Sequence, residues 1–163
     1  MKLLEEFQTA NETPSWVSSD HRDIAAWKPP PSSWFKVNVD GAFFSKAKQS
    51  GIGVIVPDGE GNMIATLSKK LDLPLGALEI KAKALETGMQ FAEEAGLRNV
   101  VFEGDSLLII NIFHGVEEAA ASVQNIIHGV LRKVQSFKMF DFLHIKRQGK
   151  CPYPLACSTC SKC

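Results

Sequence analysis

Two acid-bearing stretches offer chemistry in this 163-residue chain. Asp40 closes Trp34-Phe35-Lys36-Val37-Asn38-Val39-Asp40-Gly41-Ala42, and Asp105 follows Asn99-Val100-Val101-Phe102-Glu103-Gly104. A carboxylate at a strand end gives a hard oxygen ligand of the kind Mg²⁺ requires. Beside glycine, the same acid can also simply shape a turn. For Asp40 both readings are open. A third set of reactive side chains is Cys151, Cys157, Cys160 and Cys163, all four within the last thirteen residues. Cys-x2-Cys pairs chelate Zn²⁺, but structural sites usually separate their pairs by a longer folded segment. The alternative is an altered terminus with free thiols in a reducing cell. The body of the chain has no cysteine, so disulfides do not hold its core.

The acids need elements to hold them. Phe35, Val37 and Val39 alternate with Lys36, Asn38 and Asp40, the period of a half-buried strand, with a turn expected at Asp40-Gly41. A polar loop at 45–50 leads to a β-branched strand at 51–57. Asp58-Gly59-Glu60-Gly61 then turns the chain into a return strand at 62–67. Leu78, Ala82, Leu85, Met89 and Ala92 form one apolar stripe, predicting a helix over 77–95 that stops at Gly96. A buried strand follows at 99–103. Asp105 or Ser106 can cap a helix reaching Ile112. Residues 118–136 read as another helix and 139–146 as a fifth strand. The order βββαβααβ predicts an α/β fold: a mixed five-stranded sheet with helices on both faces.

At its ends the chain divides. Residues 1–33 read as a lead with a linker at Lys28-Pro29-Pro30-Pro31-Ser32-Ser33, flanked by Trp16, Trp27 and Trp34 as packing anchors. Residues 34–150 form the domain, and 151–163 the cysteine tail. Length suits one domain with a real core. Apolar residues at 45% and charged residues at 22% argue against wholesale disorder. Net charge is zero, yet residues 131–163 hold seven Lys or Arg against one acid, leaving +6 there. Lys133, Lys146, Arg147 and Lys150 are therefore candidate phosphate contacts, with a merely solvated basic face as the alternative. No apolar run approaches the roughly 18 residues of a membrane span, and the N-terminus lacks a signal core. A monomeric intracellular protein, nuclear or cytoplasmic, is expected.

Lys36-Val37-Asn38-Val39-Asp40-Gly41-Ala42 resembles the opening strand of the ribonuclease H type-1 family, most closely its plant domains related to retroelement reverse transcriptases. Gly51-Ile52-Gly53-Val54-Ile55 resembles the second strand. The stretch from Leu97 to Leu108 resembles the block with the second aspartate, and His144-Ile145-Lys146-Arg147-Gln148-Gly149 the start of the last segment. The resemblance covers about residues 28–150 and implies an RNase H-like fold. It also implies two-metal hydrolysis of RNA in RNA/DNA hybrids, with Mg²⁺ (or Mn²⁺) ions about 4 Å apart. Asp40 and Asp105 match two of the family's four ligand positions. The helix Glu falls on Lys81, and the late Asp or His falls near Pro154. Glu79 lies about 200° of helical rotation from Lys81. It would serve as a ligand only after a register shift. Glu103 is either an auxiliary ligand or a solvated strand-end acid, and His144 has a structural or surface role. An ammonium at Lys81 opposes a bound cation. The resemblance thus implies a nucleic-acid-binding domain, for an RNA/DNA hybrid or structured RNA, with impaired nuclease chemistry. The alternative is a degenerate binding or protein-interaction module, with Zn²⁺ in the tail as one possibility.

Overall fold

The computed structural model describes residue 30 and residues 32–146. Five strands make one sheet: β1 (Phe35–Phe44), β2 (Gln49–Pro57), β3 (Met63–Leu71), β4 (Asn99–Gly104) and β5 (Met139–His144). Three helices accompany them: α1 (Ala77–Glu94), α2 (Leu107–Phe113) and α3 (Ala121–Lys133). The spatial order is β3-β2-β1-β4-β5. β1 to β3 form an antiparallel meander, whereas β4 runs parallel to β1 and β5 parallel to β4. The expected mixed sheet and element order are present.

Val37, Phe102 and Phe142 lie side by side in register and share the core face. The Phe113 ring from α2 stacks on Phe142 at 4.5 Å, and α1 approaches Val37 and Val39 through Gly88. α3 packs across α1 through Val123, Ile127 and Val130. All three described helices therefore cover one face of the sheet. No helix among the described residues covers the other, where helices were also expected.

Differences from the expected bounds are local. β1 does not turn at Asp40-Gly41; it pairs with β2 as far as Phe44 opposite Gln49. The turn comes later, as a 3-10 turn at Ser45–Ala47 closed by Lys48 at φ 49°. β3 runs on to Leu71 because Leu67 and Leu71 still pack on the core while the residues between them face solvent. α3 begins at Ala121 rather than 118, and its expected last turn tightens into a 3-10 turn at Val134–Ser136. Gly96 stops α1 as expected, at φ +73°.

Gly41 has a different purpose from turning the chain. A Cβ there would sit 2.6 Å from the Ile80 carbonyl oxygen, so β1 and α1 touch backbone to backbone. Gly41→Ala is expected to push α1 off β1 and destabilise the protein by about 2–3 kcal/mol, the scale of an overpacked core. Urea denaturation checks it; a midpoint equal to wild type would contradict the close approach.

Candidate active site

β1 and β4 pair only from Phe35–Val100 to Asn38–Glu103. Beyond that point β4 ends at Gly104 while β1 continues with β2, so the sheet opens between them. Asp40 lies just past the split on β1, and Asp105 is the first residue after β4. Crevices at the carboxyl ends of diverging strands are common ligand sites in α/β sheets. The two acids that sequence alone singled out are thus brought together at this opening.

Between them stands Lys81. Its Nζ donates to Asp40 Oδ1 at 2.7 Å and to Asp105 Oδ1 at 2.6 Å. Lys81 projects from the second turn of α1, which Gly41 draws onto the end of β1. The Asp105 side chain is only 6% exposed, against 31% for Asp40 and 21% for Lys81. Burial alone would weaken the ammonium, but the hydrogen bonds and charges of Asp105 and Asp40 outweigh it. The Lys81 pKa is accordingly raised above the usual lysine value. Ser106 caps α2 through a hydrogen bond its Oγ accepts from Ile109 N, which fixes the turn carrying Asp105.

The space beside this trio, lined by Val39, Ala84, Leu85 and Ile109, is about 10 Å³. That admits about one water molecule. Mg²⁺ keeps near-octahedral oxygen coordination and retains several waters. Two carboxylates already bonded to an ammonium supply neither the ligands nor the room. Among the described residues, no three His, Cys, Asp or Glu side chains converge in a way that could hold a metal ion. The described residues around Asp40 and Asp105 do not fit a two-metal centre.

Neither auxiliary acid reaches the pair. Glu79 turns back along α1, where its Oε2 accepts from Gly76 N at 2.7 Å and closes the helix start. Glu103 is 2% exposed rather than solvated, and its Oε1 accepts from Lys36 Nζ at 2.6 Å. Burial pushes the Glu103 carboxyl up, against the pull of Lys36. This pair lies on the sheet face away from the helices, beside Asn38. Both polar atoms of the Asn38 side chain are buried and lack a hydrogen-bond partner among the described residues. Strand alternation put Lys36 and Asn38 off the core face, but it carried no sign that they would be buried there.

The remaining candidates scatter. Lys133 ends α3 half-buried, Lys146 is exposed just past β5, and His144 is half-buried at the end of β5. Arg147, Lys150, Pro154, the four cysteines, Trp16 and Trp27 lie outside the described residues. Trp34 is described and half-buried at the start of β1. No helix among the described residues is long and apolar enough to cross a membrane.

Known proteins bear on this geometry through their folds. RNase H1 from the archaeon Halobacterium salinarum superposes with a TM-score of 0.65 at 16% identity, over 70% of this chain and 86% of that one. LC11-RNase H1, solved in complex with an RNA/DNA hybrid, gives 0.63 at 19% identity, over 70% and 86%. The N-terminal RNase H domain of a Mycobacterium tuberculosis protein, solved as a fusion with maltose-binding protein, gives 0.63 at 14% identity, over 70% and 83%. At these identities the likeness concerns the fold. No curated protein matches the sequence. The profile of the reverse transcriptase-like family matches residues 38–152, a span that contains Asp40, Lys81 and Asp105. With this match over most of its length and the five-stranded architecture above, the chain belongs to the reverse transcriptase-like family and has an RNase H-like fold.

Proposed function

We propose that this domain binds nucleic acid, RNA/DNA hybrid or structured RNA, and has lost two-metal phosphodiester hydrolysis. The observation that carries the reading is Lys81 Nζ bonded to both Asp40 and Asp105 at 2.6–2.7 Å. Any divalent cation would have to displace a +1 charge bonded to its two oxygens. Like charges about 4 Å apart cost about 1 kcal/mol in water and about 4 kcal/mol near a protein surface. A divalent ion doubles that cost. Losing metal from such a centre removes transition-state stabilisation rather than only weakening substrate binding. Asp40 and Asp105 are then survivors of a ligand set that Mg²⁺ or Mn²⁺ would occupy in an active relative. Support for nucleic acid as partner comes from the family and from LC11-RNase H1, which was solved holding a hybrid.

The test is a labelled RNA/DNA hybrid incubated with the protein and Mg²⁺ or Mn²⁺, beside Asp40→Asn. Binding that weakens as salt rises, with no cleavage above the Asp40→Asn background, is expected. Cleavage by the wild-type protein that Asp40→Asn abolishes would overturn the loss of activity. No binding at low salt would overturn the nucleic-acid assignment.

A further inference from the structure

The sheet face opposite the helices carries an open trough about 200 Å³ in volume, starting at Asp40 and running across β1, β2 and β3. The middle of its floor is made of small residues. Ala42 pairs with Gly51, and Asp40 with Gly53, so two glycines lie where neighbouring strands would present bulk. Thr66 and Ser68 of β3 continue the floor outward, opposite Ile55 and Gly53. Phe44 forms the wall at the far end: a Cβ on Gly51 would come within 3.3 Å of the ring at Cε2. Phe44 is nonetheless 36% exposed, so part of that ring is open to a ligand.

Charge surrounds the same end. Lys70 pairs with Gly51 and therefore shares the trough's face, and Lys46 and Lys48 sit on the exposed turn just beyond Phe44. The nearest acid to Lys70 is Asp72, whose Oδ1 is 3.8 Å away in a pair whose side chains are 65% and 81% exposed. A pair so open to water leaves the Lys70 ammonium available. The volume is below the 300–1,000 Å³ typical of pockets that enclose a small molecule. An open trough of this size suits a stretch of chain lying along it. Flat, uncluttered floor, an accessible aromatic ring and flanking ammonium groups are together what single-stranded nucleic acid uses: bases stack and phosphates meet lysines.

We propose that this trough binds single-stranded nucleic acid, with a base stacked on Phe44 and adjacent phosphates held by Lys70, Lys46 and Lys48. The proposal deepens the nucleic-acid reading above and rests on it. It locates the contact surface on the meander rather than on the basic segment from Lys133 to Lys150.

Fluorescence anisotropy with labelled dodecamers of oligo(dT) and oligo(U), beside a labelled RNA/DNA hybrid, tests it. Phe44→Ala and Lys70→Glu are each expected to weaken single-strand binding about tenfold. Lys70→Glu is also expected to reduce the slope of log affinity against log salt by about 0.7, the contribution of one phosphate contact on a single strand. Lys133→Glu is expected to leave both unchanged. Melting curves for each variant check that the exposed substitutions leave the fold intact. Unchanged single-strand affinity in both trough variants overturns the proposal, as does a loss confined to Lys133→Glu. Hybrid binding with no single-strand binding overturns the trough alone, and absence of both overturns the broader reading with it. An apolar peptide displacing neither oligonucleotide is expected; competition by it would mark the trough as a protein-docking surface instead.

Discussion

Replacing Lys36 by methionine is expected to destabilise the protein by about 3–5 kcal/mol, because it leaves a buried carboxylate without its cation. The Lys36 and Glu103 side chains are 6% and 2% exposed and bonded at 2.6 Å. Water cannot take over from the missing partner. The double variant Lys36→Met with Glu103→Leu is expected to recover most of the loss, since a buried ion pair replaced by apolar groups of similar size is often neutral or better. Chemical denaturation of the three proteins measures this, and a double variant as unstable as the single would contradict it. The deficit of the single variant also depends on pH in a defined direction. The Glu103 carboxyl is already raised by burial, and loss of Lys36 removes the pull that opposed it. A carboxyl raised in the folded state detracts from stability as pH climbs from its unfolded value, about 4.3, through its folded value. The single variant should therefore be closest to wild type near pH 4 and furthest from it at pH 7.

The second large effect is expected at Lys81. Lys81→Met removes two charge-assisted hydrogen bonds and leaves Asp40 and Asp105 facing each other, for a loss of about 2–4 kcal/mol. Lys81→Glu should lose more in the presence of a chelator, because three carboxylates then converge. The acidic variant is expected to regain stability with Mn²⁺, by about 2.7 kcal/mol at a hundredfold excess over its dissociation constant. Wild-type protein should melt at the same temperature with or without Mn²⁺. A rise in the wild-type melting temperature, matched in size to that of Lys81→Glu, would refute the account. The alkaline limb supplies a further check. Because the Lys81 pKa is raised in the folded state, its contribution is complete below the unfolded value of about 10.4 and disappears as pH rises through the folded one. Wild type and Lys81→Met should differ by a constant amount across neutral pH and converge only above that point.

The elements that carry Asp40, Lys81 and Asp105 were legible in the sequence. The alternation from Phe35 to Asp40 located β1 and the stripe from Leu78 to Ala92 located α1, whereas the grouping of Asp40, Lys81 and Asp105 at one site was implied only by the resemblance to the ribonuclease H type-1 family. Rotation about α1 separated Glu79 from Lys81, and in the structure Glu79 indeed closes the helix start. Three things were not legible. Strand alternation reports which side chains share a face but not what lies over that face, so the burial of Lys36 and Asn38, and the pairing of Lys36 with Glu103, were invisible. Gly41 beside Asp40 carries ordinary turn chemistry, yet its role is close approach to Ile80, a contact 39 residues away that no local pattern encodes. The trough escaped notice because its defining feature is missing side chains at Gly51 and Gly53. Register alone sets those two glycines between Ala42 and Asp40 on one strand and Lys70 and Ser68 on the other.

Lys81 gives the opening between β1 and β4 a property that a bound ion does not have. A bound ion comes and goes, so its occupancy follows the supply in the surroundings. An ammonium joined to α1 by its own side chain has a local concentration fixed by the fold. The neutralising charge at Asp40 and Asp105 is then present from the moment the helix docks, in dilute or chelating media alike. It cannot be depleted by competition or exchanged for a different metal. The electrostatic state of this pair is inherited with the sequence.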